Sequence, residues 1–402
     1  MGTLAKLDEL QPAAAAGPSR RILYVQYTNP CGYPPLLHSS EILAARGWEV
    51  LFLGTQALGF ETRRPPVRPG IRFKHLTYSN SRLKRAVQYP CFCVWCLFWT
   101  LRWRPAWIYA SDILACIPAL LLRVFGGARC VYHEHDSPDS TDATGWWSRI
   151  CLWARRQTAR RAQFCILPNE NRARTFQKQT GTNKEVKVVW NTPLRGEVSG
   201  PKRRPEECLK LLYHGSVVPA RVPLTVIHAL KKVGHPVVLR VVGYETVGSL
   251  GYLEQLRRTA VELGIPEALE LEGVLERGEL MAHCQSYDVG LAIVDVPRDP
   301  NLVDLVGASN KVFDYMACGL ALIVPQAPGW QAFHPYGVAC DPTDPDSIAA
   351  ALRYFCEHPA EMRLRGERGR QRILDQWNYE TNFRPALDSI EAWAERGMRK
   401  AS

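Results

Sequence analysis

Ser309-Asn-Lys-Val-Phe-Asp-Tyr-Met-Ala-Cys-Gly-Leu-Ala-Leu-Ile-Val-Pro325 reads as a short helix running into a buried strand. Ser309 suits an N-cap, Gly319 stands where the helix stops, and Leu320–Val324 is an apolar run closed by Pro325. At helical spacing Val312, Phe313, Met316 and Ala317 share a side that can pack on a sheet. Asn310 and Asp314 share another, with Lys311 beside them. A helix N-terminus with a lysine in its first turn suits a phosphate. A carboxylate one turn later can accept hydrogen bonds from a ribose diol. Together these parts would hold a nucleotide diphosphate. Taken alone, the same pattern also describes an amphipathic helix with a solvated polar edge.

The rest of the chain supplies the setting. Arg21–Gln26 reads as a strand, Tyr27–Pro35 as a turn rich in Gly and Pro, Leu37–Arg46 as a helix and Trp48–Gly54 as a second buried strand. That is a βαβ unit opening a Rossmann-like domain. The turn lacks G-x-G-x-x-G, so it carries no dinucleotide fingerprint, although Gly32 would allow its backbone to approach a ligand. Arg129–Tyr132 is a strand ending on His133-Glu-His-Asp136, where an open α/β sheet binds its ligands. Asn169 would cap a helix, and Leu194–Glu207 reads as a linker. Beyond it, Leu209–Tyr213 starts a second domain. Its loop, His214-Gly-Ser-Val-Val-Pro-Ala-Arg221, combines a permissive Gly215 with a cation placed to pair with diphosphate.

A length of 402 residues suits two domains, and 46% apolar with 22% charged residues describes a globular chain. The formal charge of +11 is uneven: residues 1–200 carry +14 and the remainder −3. A basic half fits nucleic acid, an anionic membrane or an anionic substrate. No nucleic-acid module is present, so the membrane reading leads. Bases flank the aromatic run Cys91–Leu101, and Trp146–Arg161 forms a basic amphipathic helix. The run could lie in a bilayer interface or in the domain core. It is about half the ~20 residues that a spanning helix needs. The 13 cysteines show no disulfide framework, and Cys91, Cys93 and Cys96 read as buried thiols rather than a metal site. The expected location is cytoplasmic, with peripheral contact at the inner face of the cytoplasmic membrane.

Residues 309–325 resemble the donor-binding signature of retaining glycosyltransferase family 4, many of whose members read Pro-Asn-Lys-Leu-Phe-Glu-Tyr-Met-Ala-x-Gly-x-Pro-Val-Ile. Ser309 stands for the proline and Asp314 for the glutamate. His135 and Asp136 match the family's Tyr-x-x-His-[Asp/Glu], whose histidine faces the interdomain cleft. The resemblance implies an α/β protein of GT-B fold: two Rossmann-like domains facing a cleft. The expected divisions are a disordered tail at 1–20, an acceptor domain at 21–193, a linker at 194–208, a nucleotide-sugar domain at 209–378, and a last helix crossing back over 379–402. The implied reaction moves a sugar from a nucleotide-diphosphate sugar to a glycan or lipid-linked acceptor with retention. Arg221 and Lys311 would face the leaving diphosphate, so neither metal nor cofactor is required, and His135 would contact the reacting sugar. Gly215, Ser216, Gly243, Tyr244, Val274, Ser309, Asn310 and Asp314 would bind the donor, with Gly32 and Asp136 on the acceptor side. One departure stands out. The family's first carboxylate falls on Val306, with Asp304 two residues away, and Ser216 replaces a usual basic residue. Those gaps favour an alternative, a non-catalytic GT-B protein that binds a nucleotide or partner. A nicotinamide oxidoreductase is a third reading, opposed by the missing glycine fingerprint.

Overall fold

Runs of β-branched and aromatic residues between Gly- and Pro-rich turns set up two parallel sheets, each buried on both faces. The computed structural model describes residues 20–56, 67–77, 82–138, 145–200, 208–295 and 305–398. The expected tail at 1–20 lies almost wholly outside them, as does Asp304. The first sheet contains β1 (Arg21–Val25), β2 (Glu49–Thr55), β3 (Ile71–Leu76), β4 (Trp107–Ser111), β5 (Arg129–His133), β6 (Phe164–Leu167) and β7 (Glu185–Val188). Its order is β3-β2-β1-β4-β5-β6-β7. The second contains β8 (Leu209–Val217), β9 (Val237–Glu245), β10 (Leu269–Glu272), β11 (Val289–Leu291), β12 (Ala321–Pro325) and β13 (Gly337–Cys340), in the order β10-β9-β8-β11-β12-β13.

Helices of the first lobe are α1 (Pro34–Ala45), α2 (Arg82–Trp103), α3 (Cys116–Gly126), α4 (Trp146–Arg161) and α5 (Glu170–Thr180). Those after the linker are α6 (Leu224–Lys232), α7 (Tyr252–Glu262), α8 (Arg277–Cys284), α9 (Asn310–Ala317), α10 (Pro345–Glu357), α11 (Pro359–Asp375) and α12 (Tyr379–Met398). Alternation along β1 shows how the layers form. Leu23 and Val25 pack under α2 to α5, whereas Ile22 and Tyr24 face the opposite layer of α1 and α12. Tyr379, Phe383, Leu387, Ile390 and Ala394 give α12 an apolar stripe that covers the first sheet, so the last helix returns to the first lobe.

Several boundaries differ from the sequence reading. β8 and β9 run on through Val217 and Glu245, pairing Gly215 with Gly243 inside the ladder where a loop had been expected. Helix α8 starts at Arg277, where the Glu279 carboxylate accepts the Glu276 N–H at 3.3 Å and closes the first turn. The aromatic run lies within α2, with Phe92, Cys93 and Cys96 buried and Val94, Phe98 and Leu101 exposed; Cys91, expected to be buried, is exposed. One ion pair joins sheet to helix within the first core. Arg155 of α4 donates from Nε and Nη2 to Glu134 at 2.5 and 2.7 Å, and the Tyr132 hydroxyl donates to the same carboxylate at 2.7 Å.

Candidate functional site

The two sheets point the carboxyl ends of their strands toward a cleft of about 320 Å³. On the second-lobe side, Gly215 adopts φ +115°, and a Cβ there would come within 2.8 Å of the Lys311 Nζ. Across the ladder, a Cβ on Gly243 would strike the Gly215 carbonyl. Two adjacent glycines therefore open the space into which Lys311 reaches. Arg221 approaches the same space and donates from Nη1 to Ser216 Oγ at 2.6 Å. Burial first, and then the neighbouring Arg221 charge, push the Lys311 ammonium from its usual range down to about 7, against the pull of Asp314. Two cations held close in a desolvated pocket favour an anion between them. Ser309 occupies the N-cap of α9, yet its hydroxyl makes no capping bond. Ser309 and Asn310 both line the cleft.

Asp314 lies one turn into α9 and is buried. Both its oxygens are held by Arg277, at 3.0 and 3.2 Å. The open carboxylate expected for a ribose is therefore already engaged, because an unpaired carboxylate at that depth would be costly. Burial raises the Asp314 pKa, with Arg277 opposing. Arg277 also grips Glu197 of the linker, at 2.5 and 3.1 Å, and the Glu197 carboxylate lies 3.0 Å from His38 Nε2 of α1. Burial alone would raise Glu197, but Arg277 and His38 outweigh it and hold this carboxyl well below the usual range.

Facing this wall, the first lobe presents His135 just past β5. Its backbone is fixed from two directions: the N–H donates to Asp112 Oδ1 at 2.8 Å, and Arg172 Nη1 donates to its carbonyl at 2.7 Å. Asp112 follows β4 at φ +62°, a strained conformation for a side-chain-bearing residue, and burial pushes its carboxyl up to about 7. Among the described residues neither ring nitrogen of His135 has a hydrogen-bond partner, although both are buried. Burial, then Arg172, pushes this imidazole down to about 3, so at neutral pH it is uncharged. Tyr33 sits beside it with ring centroids 5.3 Å apart. Asn169 and Asn191 cross the gap to the carbonyls of Val306 and Ala308, at 2.9 and 2.7 Å.

Gly32, His135, Asp136, Gly215, Ser216, Arg221, Gly243, Tyr244, Val274, Ser309, Asn310, Lys311 and Asp314 all line this one cleft. A larger cavity of about 580 Å³, between α1 and α12, is lined by none of them. Sequence reasoning missed Arg277, Asp112 and Tyr33, and set Arg172 aside as part of the helix start capped by Asn169. For Arg277 the available signal was Glu276-x-x-Glu279, which marks a helix start. No group of three or more His, Cys, Asp and Glu among the described residues is placed to hold a metal ion.

Residues 36–192 match a family model described as a glycosyl transferase 4-like domain, and residues 226–388 match one described as glycosyl transferase-like. The chain is 30% identical over 138 residues to the GDP-mannose-dependent α-(1-6)-phosphatidylinositol monomannoside mannosyltransferase of Mycolicibacterium smegmatis. That match spans 34% of this chain and 36% of the relative. Sucrose-phosphate synthase from Thermosynechococcus elongatus superposes with a TM-score of 0.70 at 16% identity, covering 95% of this chain and 100% of that one. Anabaena HepE in complex with UDP and glucose superposes with a TM-score of 0.67 at 16% identity, covering 93% and 100%.

Proposed function

Because the chain belongs to the GT-B glycosyltransferases of group 1 type, we propose that it moves a sugar from a nucleoside-diphosphate sugar to a glycan or lipid-linked acceptor. The product would belong to a cell-surface polysaccharide or glycoconjugate, formed with retention of anomeric configuration. The observation that carries this reading is the meeting of Lys311 and Arg221 around Gly215, opposite the uncharged imidazole of His135. As the glycosidic bond to the donor breaks, charge builds on the diphosphate while the anomeric carbon becomes cationic. Fixed cations stabilise the first, and an uncharged hydrogen-bonding group can orient the sugar without repelling the second. Anabaena HepE is described with UDP and with UDP-glucose, and the mannosyltransferase relative uses GDP-mannose. These descriptions support the donor class without choosing its base.

A thermal-shift screen of UDP- and GDP-sugars, followed by transfer and hydrolysis assays, tests the reading, since a ligand bound only by the folded chain raises the melting point. Stabilisation together with sugar release supports it; no stabilisation by any member overturns it. Stabilisation without release would instead support a non-catalytic binder, the reading favoured by Val306 and Ser216.

Donor affinity should depend on pH through Lys311. Below about pH 7 the free protein already carries this charge, so affinity is flat. Above it, binding the diphosphate must take up a proton, and affinity falls by about tenfold per unit. Calorimetry in buffers of differing ionisation enthalpy checks this. Net proton uptake at pH 8 is expected, and none would remove Lys311 from the anion's contacts. For His135→Ala, kcat is expected to fall by about tenfold or more, the worth of a hydrogen bond to a charged group. The Kd for the free nucleoside diphosphate should change little. Equal losses in both would disconnect His135 from the sugar.

A further inference from the structure

We infer that α2, α3 and α4 form a docking face for an anionic membrane surface. The three helices pack side by side over the first sheet, opposite the layer of α1 and α12. Each buries an inner stripe, represented by Phe92, Cys116 and Ala154. A helix so placed ordinarily turns a polar stripe to solvent. Here the outer side is apolar: Trp146 is 73% exposed, Trp153 58% and Phe98 57%, with Val94, Leu101 and Phe125 exposed around them. The same three helices carry ten Lys or Arg and no Asp or Glu. Among them, Arg102, Arg149 and Arg156 are exposed.

Charge selects the occupant. Two copies of this face would bring like charges together, whereas a layer of anionic headgroups neutralises the bases and admits the rings between them. The face would rest on the bilayer rather than cross it, because no described helix is long and apolar enough to span one. Its edge also lies near the cleft. Tyr89 of α2 meets Trp147 of α4 edge-on, with ring centroids 5.0 Å apart, and both helices begin at the end of the sheet where His135 and Asp136 emerge. Membrane binding stands on this geometry alone; only the idea that it brings a lipid-linked acceptor to the cleft rests on the proposed function.

The test is sedimentation of the full chain with vesicles of phosphatidylcholine and phosphatidylglycerol, against vesicles of phosphatidylcholine alone. Binding is expected only to the anionic vesicles, falling steeply as salt rises from about 0.05 to about 0.5 M. Arg149→Glu/Arg156→Glu should weaken it about 25-fold or more, at roughly fivefold per base lost. On the wild-type chain, brominated acyl chains should quench tryptophan fluorescence, and Trp146→Phe/Trp153→Phe should remove most of that quenching. An unchanged melting temperature shows that each variant is folded. No binding at low salt, equal binding to neutral vesicles, or quenching that survives the tryptophan replacements overturns the inference. A dimer in sedimentation velocity, dissolved by the arginine reversals in a chain that ignores vesicles, would assign the face to self-association instead.

Discussion

Lys311→Ala should weaken binding of a nucleoside diphosphate by about 1.5–3 kcal/mol, the cost of losing a charged hydrogen bond. That is roughly a 10- to 150-fold rise in Kd at fixed pH. The ammonium is expensive to keep where it stands, because burial and the Arg221 charge both work against it. An anion relieves that repulsion, so a large part of the binding energy should pass through this group. Deleting the side chain also spares the free protein its repulsion with Arg221, so Lys311→Ala should fold at least as well as the parent. Titration calorimetry with UDP and GDP distinguishes the cases. Affinity unchanged by the substitution would mean that the diphosphate lies elsewhere. Measured at pH 8.5, the loss should shrink, because the wild-type lysine is then largely uncharged before binding.

Glu134→Ala carries the largest expected stability effect, about 3–5 kcal/mol, because it strands a buried guanidinium. Arg155 and Glu134 have side chains 3% and 0% exposed, and the loss would leave the guanidinium its bond to Gln179 Oε1 at 3.0 Å in place of a full counter-charge. Urea unfolding should show the loss as a lower midpoint with little change in slope. Replacing both partners by apolar residues of similar size, Glu134→Leu with Arg155→Met, should recover most of it, since neither charge then remains to be solvated. A single substitution costing less than about 1 kcal/mol would show that Arg155 finds another partner or reaches solvent.

The fold was legible wherever one segment carried its own pattern. β1, β2 and β4 are continuous apolar runs, and the change of period between Ala317 and Leu320 marked α9 and β12 directly. The cleft residues were legible for a similar reason. Strand ends collect ligands in a parallel sheet, so Gly215 could be assigned to a site from position, whereas His135 and Gly243 drew on the family resemblance as well. What stayed hidden depends on pairing between distant segments. Nothing local in Asp314 shows that Arg277 will hold it, nor that Glu197 will hold Arg277 in turn. The extension of β8 past Tyr213 was also invisible, since Gly215 in its ladder is explained only by Gly243 on the neighbouring strand. Asp112 announced nothing in sequence because its role rests on a backbone strain that only the folded chain imposes.

The return of α12 to the first sheet means that the polypeptide passes between the lobes twice, and the two passages touch. The Tyr379 N–H donates to the Pro193 carbonyl at 2.8 Å, and the Arg195 N–H donates to both Glu380 carboxylate oxygens at 3.1 Å. A body joined to another by one tether can turn in any direction. Joined by two tethers fastened side by side, it can only swing as a gate does on its post. Any widening or narrowing of the gap between the sheets is therefore expected to turn about that shared post.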